Sequence, residues 1–375
     1  MLTIKTMKIL FSDNSLFGLV NFREPVFRHF YELGYDIVLV APKPVDGEDM
    51  VKAAPAYAKY IAIEMQRTGQ NPAGDMKYFL QLFKIYKKEK PDYIFHYTIK
   101  PNIYGSIAAK LVGIRSSCMV AGLGYAFDSN GIKNQIARSL YKIGLKCSEK
   151  VMLLNSSNKQ KLISLGILKE SKVVFLKGGE GLVLDSYKCC SEASSDVVFL
   201  MVARILYDKG YSEFVEASRR ICIEYPKVRC CLLGPVDEMY PNAVSRKQID
   251  SDVEAGYVEY LGFTDNPSEI MSREEIVVVL PSYHEGFSRS LMETCALGRP
   301  IITTDIPGCK ELVIDGFNGF LCKRKDSESL YEAMKKYILL SLDARSKMGM
   351  NGRALAEEHF DVKDVIKIYD SIIAG

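Results

Sequence analysis

The most informative part of this 375-residue chain is "PSYHEGFSRSLMETCALGRPIITTDIPGCKELV", from Pro281 to Val313. The apolar run "EEIVVVLPS" leads into this stretch, and it predicts a buried strand that Pro281 terminates. Ser288 then precedes "RSLMETCAL", which predicts a helix with Ser288 as its N-cap, and "PIITT" predicts another strand. Strand, loop, helix and strand in this order form a βαβ unit, which indicates a parallel sheet covered by helices.

The same alternation of apolar runs and helical patterns extends through the whole chain. We predict an α/β protein with two Rossmann-like domains, at residues 1–190 and 191–355, joined through the polar stretch "KCCSEASSD" at 188–196. Residues 356–375 contain an apolar helical face that could pack back onto the first domain. Ligands of such sheets bind beyond the carboxyl ends of the strands, so the expected site is the cleft between the domains.

Charge is unevenly distributed along the chain. The net charge is +3, but residues 1–190 contain 27 basic and 16 acidic side chains, a net of +11. This excess predicts an anionic partner for the first domain, either nucleic acid or an anionic membrane surface. The chain has no zinc-finger or RNP-type motif, so we expect no nucleic acid. The absence of a signal peptide and of long apolar runs predicts a cytoplasmic protein.

One segment of the first domain combines aromatic and basic residues, "DMKYFLQLFKIYKKEK" at 75–90. Aromatic side chains interleaved with lysines suit a membrane headgroup surface. The alternative is an ordinary crossover helix whose lysines face solvent, and we favour this alternative for the segment itself.

Several familiar functional motifs are incomplete or missing. "GLGYAF" and "GEGLVL" both lack the third glycine of a dinucleotide-binding loop. The chain has no P-loop and no G-x-S-x-G nucleophile elbow. "DSD" at 250–252 lies in a polar stretch and is better explained as a solvated turn than as a metal site.

The opening stretch contains two glutamates eight residues apart, Glu285 in the loop and Glu293 in the helix. Gly286 permits close approach of the backbone to a ligand, and the N–H groups of the first helical turn favour a phosphate. Carboxylates can accept hydrogen bonds from the vicinal hydroxyls of a ribose or another sugar. The pattern predicts a sugar-nucleotide site, with two exposed surface glutamates as the alternative.

A pair of cations follows the predicted strand "VVFLMVA". Arg204 and Lys209 lie in the loop "RILYDKGY" before the next helix. Two cations at the carboxyl end of a strand can neutralise a diphosphate leaving group. The alternative is two ordinary loop cations.

These segments together resemble the retaining GT4 family of glycosyltransferases. The resemblance rests on the Arg204–Lys209 loop, "LLGPVDE", "VEYLGFTDN", the opening stretch and "VIDGFNGFLC", and it continues more weakly through "YTIKPNIYGSIAAKLVGI" and "AGLGYAF". It implies the GT-B fold, in which two Rossmann-like domains place their parallel sheets across a cleft. The nearest subgroup extends lipid-linked glycans for bacterial capsule, O-antigen or glycoprotein assembly.

The resemblance also implies roles for individual residues. Glu293 would hold the ribose, Glu285 the donor sugar, and Arg204 and Lys209 the departing phosphate. The implied donor-binding residues in addition to Glu293 are Gly286, Phe287, Ser288, Arg289, Gly18, Gly234 and Phe263. The implied catalytic residues are Glu285, Arg204, Lys209 and His96.

The implied substrates are a nucleotide diphosphate sugar, expected to be UDP-linked, and a polyprenyl-diphosphate-linked saccharide. The transferred sugar would be a hexose, an N-acetylhexosamine or a uronic acid. No cofactor and no metal are expected. We expect the protein on the cytoplasmic face of the inner membrane, held by an anionic membrane surface.

This chain departs from the family pattern at three places. The first loop is "SDNSLFG" where relatives have Gly-Gly, Val183 replaces a usual acid, and Ile99 occupies the place of a usual histidine. His96, three residues earlier, could reach the transferred sugar or could be a structural histidine. These departures leave two alternatives open: a non-catalytic sugar-nucleotide-binding subunit, and an epimerase or hydrolase acting on the sugar nucleotide.

Overall fold

The computed structural model describes residues 6–44, 54–66, 71–123, 127, 131–190, 192–238, 240 and 242–375. The chain forms two compact units. The first comprises Met1–Gly181 and Val362–Gly375, and the second comprises Leu182–Asp361.

The first unit contains a seven-stranded sheet in which every recorded strand pair is parallel. The strands are β1 (Lys8–Ser12), β2 (Asp36–Ala41), β3 (Ala58–Ala62), β4 (Tyr93–Tyr97), β5 (Arg115–Val120), β6 (Val151–Leu153) and β7 (Val173–Phe175), in the order β3-β2-β1-β4-β5-β6-β7. The helices between them are α1 (Leu16–Glu32), α2 (Pro72–Glu89), α3 (Ser106–Leu111), α4 (Ile132–Cys147) and α5 (Ser156–Ser164). β4 is buried along its whole length, as expected of a central strand covered on both faces.

The second unit contains a six-stranded sheet whose recorded strand pairs are also parallel. The strands are β8 (Val198–Val202), β9 (Arg229–Leu233), β10 (Glu259–Tyr260), β11 (Ile276–Leu280), β12 (Ile301–Thr304) and β13 (Gly319–Cys322), in the order β10-β9-β8-β11-β12-β13. The helices are α6 (Tyr211–Glu224), α7 (Arg246–Glu254), α8 (Pro267–Met271), α9 (Arg289–Ala296), α10 (Ser327–Ile338) and α11 (Leu342–His359). Alternate residues of β8 contribute to two apolar clusters, Leu200 to one and Phe199 to the other.

The strand order of each sheet reverses once. In the second sheet this happens between β8 and β11, because the chain proceeds from β8 to β9 on one side and from β11 to β12 on the other. Loops leaving neighbouring strands in opposite directions create a crevice at the carboxyl edge of the sheet. The loops after β8 and β11, which contain the predicted site residues, therefore start side by side.

The chain enters the second unit earlier than the polar stretch 188–196 suggested. The crossing lies between Gly181 and Leu182, and the polar stretch belongs to the second unit. Buried Arg299 explains this, because its guanidinium donates to the Glu192 carbonyl at 2.7 Å, to the Cys190 carbonyl and to the Glu274 carbonyl at 2.9 Å.

The C-terminal tail is divided between the units. The second unit continues to Asp361, and α12 (Val362–Ala374) belongs to the first unit. The Tyr369 and Tyr97 hydroxyls lie 2.8 Å apart, and the Tyr369 ring packs against Phe95 of β4. The apolar face predicted within residues 356–375 thus packs onto the first sheet, on a helix that begins at Val362.

The sequence patterns missed some local features. The short strands β3, β7 and β13 were not predicted, and neither was the π-helical turn Pro101–Gly105 that precedes α3. Within the described ranges, no helix combines the length and the apolar composition that crossing a bilayer requires.

We expect Arg299→Leu to lower the free energy of unfolding by about 3 kcal/mol, because the carbonyls of Cys190, Glu192 and Glu274 would lose the charged donor that the buried guanidinium supplies. Urea denaturation of the full chain measures this. The exposed Arg273→Leu is the matched control, and it should change the value by less than about 0.5 kcal/mol. Equal effects of the two changes would contradict the structural role of Arg299.

Candidate functional site

Three loops meet at the carboxyl edge of the second sheet, and two glycines permit the contact. Gly210 has φ +82°, and a Cβ there would lie 2.2 Å from the Pro281 carbonyl oxygen. Gly308 has φ +88°, and a Cβ there would lie 2.7 Å from the Glu285 carbonyl group. Since these distances are too short for any side chain, glycine is required at both positions. The loops after β8, β11 and β12 are thereby packed together.

This packing brings Lys209 and Glu285 into an ion pair. Lys209 Nζ contacts Glu285 Oε1, and the side chains are only 19% and 12% exposed. The Tyr283 amide also donates to the Asp208 carbonyl at 2.9 Å, which holds the two loops in register. The structure therefore brings together two residues that the sequence analysis had selected from separate segments.

Glu293 lies on α9 and is held by two donors. Its Oε1 accepts from Arg289 Nε at 2.8 Å and from the Tyr187 hydroxyl at 3.1 Å. Burial acts to lower the pKa of Arg289, but Glu293 and Tyr187 outweigh it and the pKa is raised. The Glu293 side chain is consequently held by an ion pair with Arg289 and by the Tyr187 hydroxyl.

Helix α9 starts where the sequence analysis predicted, but the expected capping hydrogen bond from the Ser288 side chain is not formed. Ser288 is the N-cap and has an extended backbone, yet its hydroxyl lies 3.3 Å from that of Ser290 and caps no backbone N–H. Instead, the Ser288 amide donates to the Gly308 carbonyl at 3.0 Å. Phe287 packs on the apolar cluster near Phe360. The N–H groups of the first turn of α9 have no acceptors within the helix, so this end is suited to an anion.

Arg204, Gly234 and Phe263 follow β8, β9 and β10, three adjacent strands. The Arg204 guanidinium lies 4.2 Å from the centroid of the Tyr240 ring. A Cβ at Gly234 would lie 1.8 Å from the Ala203 carbonyl oxygen, so this loop approaches the β8 loop closely. Phe263 is an exposed apolar side chain beyond β10. Gly234 and Phe263 thus extend the same edge of the sheet beyond the β8 loop, which contains both Arg204 and Lys209.

Gly18 lies in the first unit, in the first turn of α1. Its amide donates to Ser15 Oγ at 3.3 Å, and its carbonyl accepts from Arg23 Nη1 at 2.8 Å. Arg23 also forms ion pairs with Asp13 at 3.0 Å and Glu180 at 2.9 Å. Burial raises the pKa of Asp13, against the opposing effect of Arg23. This buried network was not predicted, although Asp13 directly follows β1 and Arg23 interrupts an otherwise apolar helical face.

His96 is placed in the core rather than at a surface. Its side chain is completely buried, and Nδ1 lies 3.0 Å from Ser12 Oγ. A Cβ at Gly105 would lie 2.6 Å from the imidazole ring, so the π-helical turn packs directly on it. A group that contacts a sugar needs accessible surface, and His96 has none. The burial of His96 favours the structural alternative, and its contact with the transferred sugar stays a prediction.

The His, Cys, Asp and Glu side chains that could bind a metal ion are dispersed among the described residues. Among the described residues, no group of three or more His, Cys, Asp or Glu side chains is arranged to hold a metal ion. Gly124 and its neighbours in "AGLGYAF", at 124–126, lie outside the described residues. The expectation that no metal is needed stays a prediction.

Tyr187 and Tyr240 are site residues that the sequence analysis did not select. Tyr187 contacts Glu293, and Tyr240 contacts Arg204. Tyr187 lies between Val183, which replaces a usual acid of the family, and the polar stretch that starts at Lys188, and the sequence analysis assigned it no role. Little in the sequence indicated these two tyrosines, because each contact joins segments that are distant in sequence or irregular in structure.

Two protein-family models match this chain. The family described as Glycosyl transferases group 1 matches residues 191–355, and Glycosyl transferase 4-like matches residues 8–156.

Two curated bacterial proteins are similar along most of their length. The N,N'-diacetylbacillosaminyl-diphospho-undecaprenol alpha-1,3-N-acetylgalactosaminyltransferase of Campylobacter jejuni is 28% identical, over 98% of this chain and 99% of that protein. The UDP-Gal:alpha-D-GlcNAc-diphosphoundecaprenol alpha-1,3-galactosyltransferase of Escherichia coli is 27% identical, over 78% and 79%.

Among solved structures, Anabaena Alr3699/HepE in complex with UDP is similar with a TM-score of 0.75. Its sequence is 18% identical, and the alignment covers 98% of this chain and 100% of that one. Such a likeness establishes the shared two-domain fold.

We expect the buried state of His96 to make stability depend on pH. Burial lowers the pKa of His96 to about 3, whereas an unfolded histidine titrates at about 6.5. Between these values the unfolded chain binds more protons, so this contribution to stability is complete above pH 6.5 and is lost as the pH falls. Lowering the pH from 7 to 5.5 should cost about 1 kcal/mol through this group.

Urea unfolding at the two pH values tests this for the native chain and for His96→Gln. The pH-dependent loss should shrink in His96→Gln and remain in His359→Gln, whose imidazole is exposed. An unchanged loss in His96→Gln would contradict the assignment of His96 to the core.

Proposed function

This chain belongs to the GT4-like glycosyltransferases, and from this premise we propose that it transfers a sugar from a UDP-linked donor to a polyprenyl-diphosphate-linked saccharide. The two curated relatives support the acceptor class, because both names specify a diphospho-undecaprenol saccharide. The Escherichia coli relative supports the donor class, because its name specifies UDP-Gal. The sugar remains one of the three classes expected from the sequence: a hexose, an N-acetylhexosamine or a uronic acid.

The observation that carries the donor site is the arrangement of Lys209, Glu285 and Glu293 around one end of α9. Glu285 lies in the loop before the helix, Lys209 contacts it, and Glu293 follows one turn inside. We assign the diphosphate to the N-terminus of α9, where backbone N–H groups and nearby cations favour negative charge. With the diphosphate there, we assign the ribose hydroxyls to the Glu293 carboxylate.

The cations would act on the leaving group. As the bond between the sugar C1 and the diphosphate oxygen breaks, negative charge develops on that oxygen, and Lys209 and Arg204 stabilise it. Lys209 has three N–H donors and uses one for Glu285, so others can reach a phosphoryl oxygen. The acceptor hydroxyl oxygen forms the new bond to C1 and gives its proton to the departing phosphate. No protein nucleophile is needed, and the attack comes from the face that the leaving group occupied.

The acceptor lipid places the reaction next to a membrane, and α4 offers a suitable surface in the first unit. Ile136 and Ile143 are 56% and 49% exposed, and Lys142 and Lys146 are exposed beside them. Apolar side chains flanked by lysines suit the headgroup region of an anionic bilayer.

The other candidate, α2, is better explained as a crossover helix, because its residues Tyr78, Leu82 and Tyr86 are buried in the core. We therefore propose a peripheral location on the cytoplasmic face of the inner membrane, with α4 rather than α2 in contact with lipid.

We expect Glu293→Ala and Lys209→Ala to have different kinetic effects. Loss of Glu293 should weaken UDP binding about 30-fold, since hydrogen bonds to a charged group contribute about 2 kcal/mol. Loss of Lys209 should lower turnover at saturating donor about 100-fold, since it acts on charge that develops in the transition state. Calorimetry with UDP, GDP and their common sugar conjugates measures the first effect. UDP release in the presence of a polyprenyl-diphosphate-linked saccharide measures the second.

The exposed Lys336→Ala, on α10, is the control and should change neither quantity. Each titration is repeated with EDTA, which should leave binding unchanged if no metal is required. Full activity of both site variants would contradict the donor site, and failure of every nucleotide to bind would contradict the proposed function.

We expect Ile136→Glu combined with Ile143→Glu to reduce binding to vesicles containing phosphatidylglycerol by about tenfold, because apolar area is lost and like charge is added. Co-sedimentation with these vesicles measures this. The control is Ile223→Glu with Leu339→Glu, two apolar residues of the second unit that are also exposed. Equal binding of the two double variants would contradict the role of α4.

A further inference from the structure

Tyr187 contacts the proposed ribose-binding carboxylate from a distant part of the chain. It directly follows the 3-10 turn Leu184–Ser186, and its hydroxyl donates to Glu293 Oε1 at 3.1 Å across 106 positions of sequence. Both residues belong to the second unit. The inference below rests on the proposed function, since it concerns how the donor ribose is held.

The backbone of Tyr187 is fixed to the far end of the same helix. Arg353, on α11, donates from one nitrogen, Nη1, to the Tyr187 carbonyl at 3.0 Å and to the Ala296 carbonyl at 2.6 Å. Ala296 is the last residue of α9, so a single guanidinium ties Tyr187 to the helix that contains Glu293. The Tyr187 ring also packs on the apolar cluster beneath that helix. The hydroxyl therefore has little freedom to leave Glu293.

The two carboxylate oxygens of Glu293 differ in their hydrogen-bond partners. Each carboxylate oxygen offers about two good acceptor directions. Oε1 already accepts from Arg289 Nε and from Tyr187, and the Arg289 Nη2 atom lies 3.5 Å from the Tyr187 hydroxyl, closing a triangle. Every hydrogen bond recorded for Glu293 among the described residues uses Oε1, so Oε2 is the atom available to a ligand hydroxyl.

Tyr187 is also suited to remain a donor. Burial and the neighbouring Glu293 carboxylate raise the pKa of Tyr187 to about 12. The hydroxyl thus keeps its proton throughout the physiological range. Without this hydroxyl, Oε1 would have one partner, and the terminal torsion of a glutamate side chain is intrinsically soft.

We propose that the Tyr187 hydroxyl is a positioning group that fixes the Glu293 carboxylate with Oε2 towards the donor ribose, and that it thereby sets the preference for ribonucleotides over 2'-deoxyribonucleotides. Arg289 holds the Glu293 carboxylate by an ion pair. The Tyr187 hydroxyl donates to the same oxygen from another direction, and this second hydrogen bond prevents the carboxylate from rotating. A site organised to accept a hydroxyl discriminates against a ligand that lacks it, because a buried acceptor is then left without a donor.

Tyr187→Phe tests this, since it retains the ring and removes only the hydroxyl. Calorimetry compares UDP with 2'-deoxy-UDP, and GDP with 2'-deoxy-GDP, for the native chain and the variant. The native chain should prefer its ribonucleotide by about tenfold or more. In Tyr187→Phe the ribonucleotide affinity should fall about fivefold while the deoxynucleotide affinity stays the same. The donor KM should rise with kcat unchanged.

Tyr331→Phe is the matched control, because it removes another tyrosine hydroxyl that donates to a carboxylate of the second unit, Glu224. It should leave the preference between the two sugars unchanged. Equal losses for both nucleotides in Tyr187→Phe, or no loss, would overturn the proposal, since a purely structural tyrosine would act on both alike.

Glu293→Ala separates this proposal from the proposed function. If Glu293→Ala abolishes the preference for ribose and Tyr187→Phe retains it, the donor site stands and the role of Tyr187 is wrong. If Glu293→Ala retains the preference, the assignment of ribose to Glu293 is wrong, and the proposal for Tyr187 is overturned with it.

Discussion

The close contact between the loops at the carboxyl edge of the second sheet is the constraint on which the site depends. Gly210 lies against Pro281, and Gly308 lies against Glu285, at distances that exclude any Cβ. Because the backbones approach so closely, the end of the β8 loop reaches the loop before α9. The ion pair between Lys209 and Glu285 is a consequence of this contact.

The charges at this edge are already compensated by neighbours within the same unit. Lys209 is paired with Glu285, and Glu293 is held by Arg289. The Arg204 guanidinium lies over the Tyr240 ring, which favours a cation. Half-buried charges without partners would be costly, so the pairing allows ionised groups to be kept at the site. Charged groups that are already held in place need little reorganisation when charge develops beside them, and this is the basis of electrostatic catalysis.

The paired polar groups of the first unit, unlike those at the edge of the second sheet, are buried in its core. Arg23 is buried with Asp13 and Glu180, and His96 is buried against Ser12. These contacts join α1, the central strands and the segment that ends the first unit, so they stabilise the unit itself. The features of this unit that suit a partner lie outside the core, on the exposed side of α4 and in the excess of basic residues.

The amino-acid sequence by itself determined the fold class and the order of most elements, and it selected Lys209 and Glu285, which the structure brings into contact. Apolar runs mark β8 and β11 because central parallel strands are buried on both faces. Arg204, Lys209 and Glu285 follow the ends of these strands, and Glu293 lies one turn inside the next helix. Only the tertiary structure decided which side chains meet. Tyr187 reaches Glu293 across 106 positions, and Arg299 draws the supposed linker into the second unit. His96 looked available at a strand end but is covered by the turn at Gly105. Such contacts depend on packing between segments distant in sequence, and local periodicity carries no information about them.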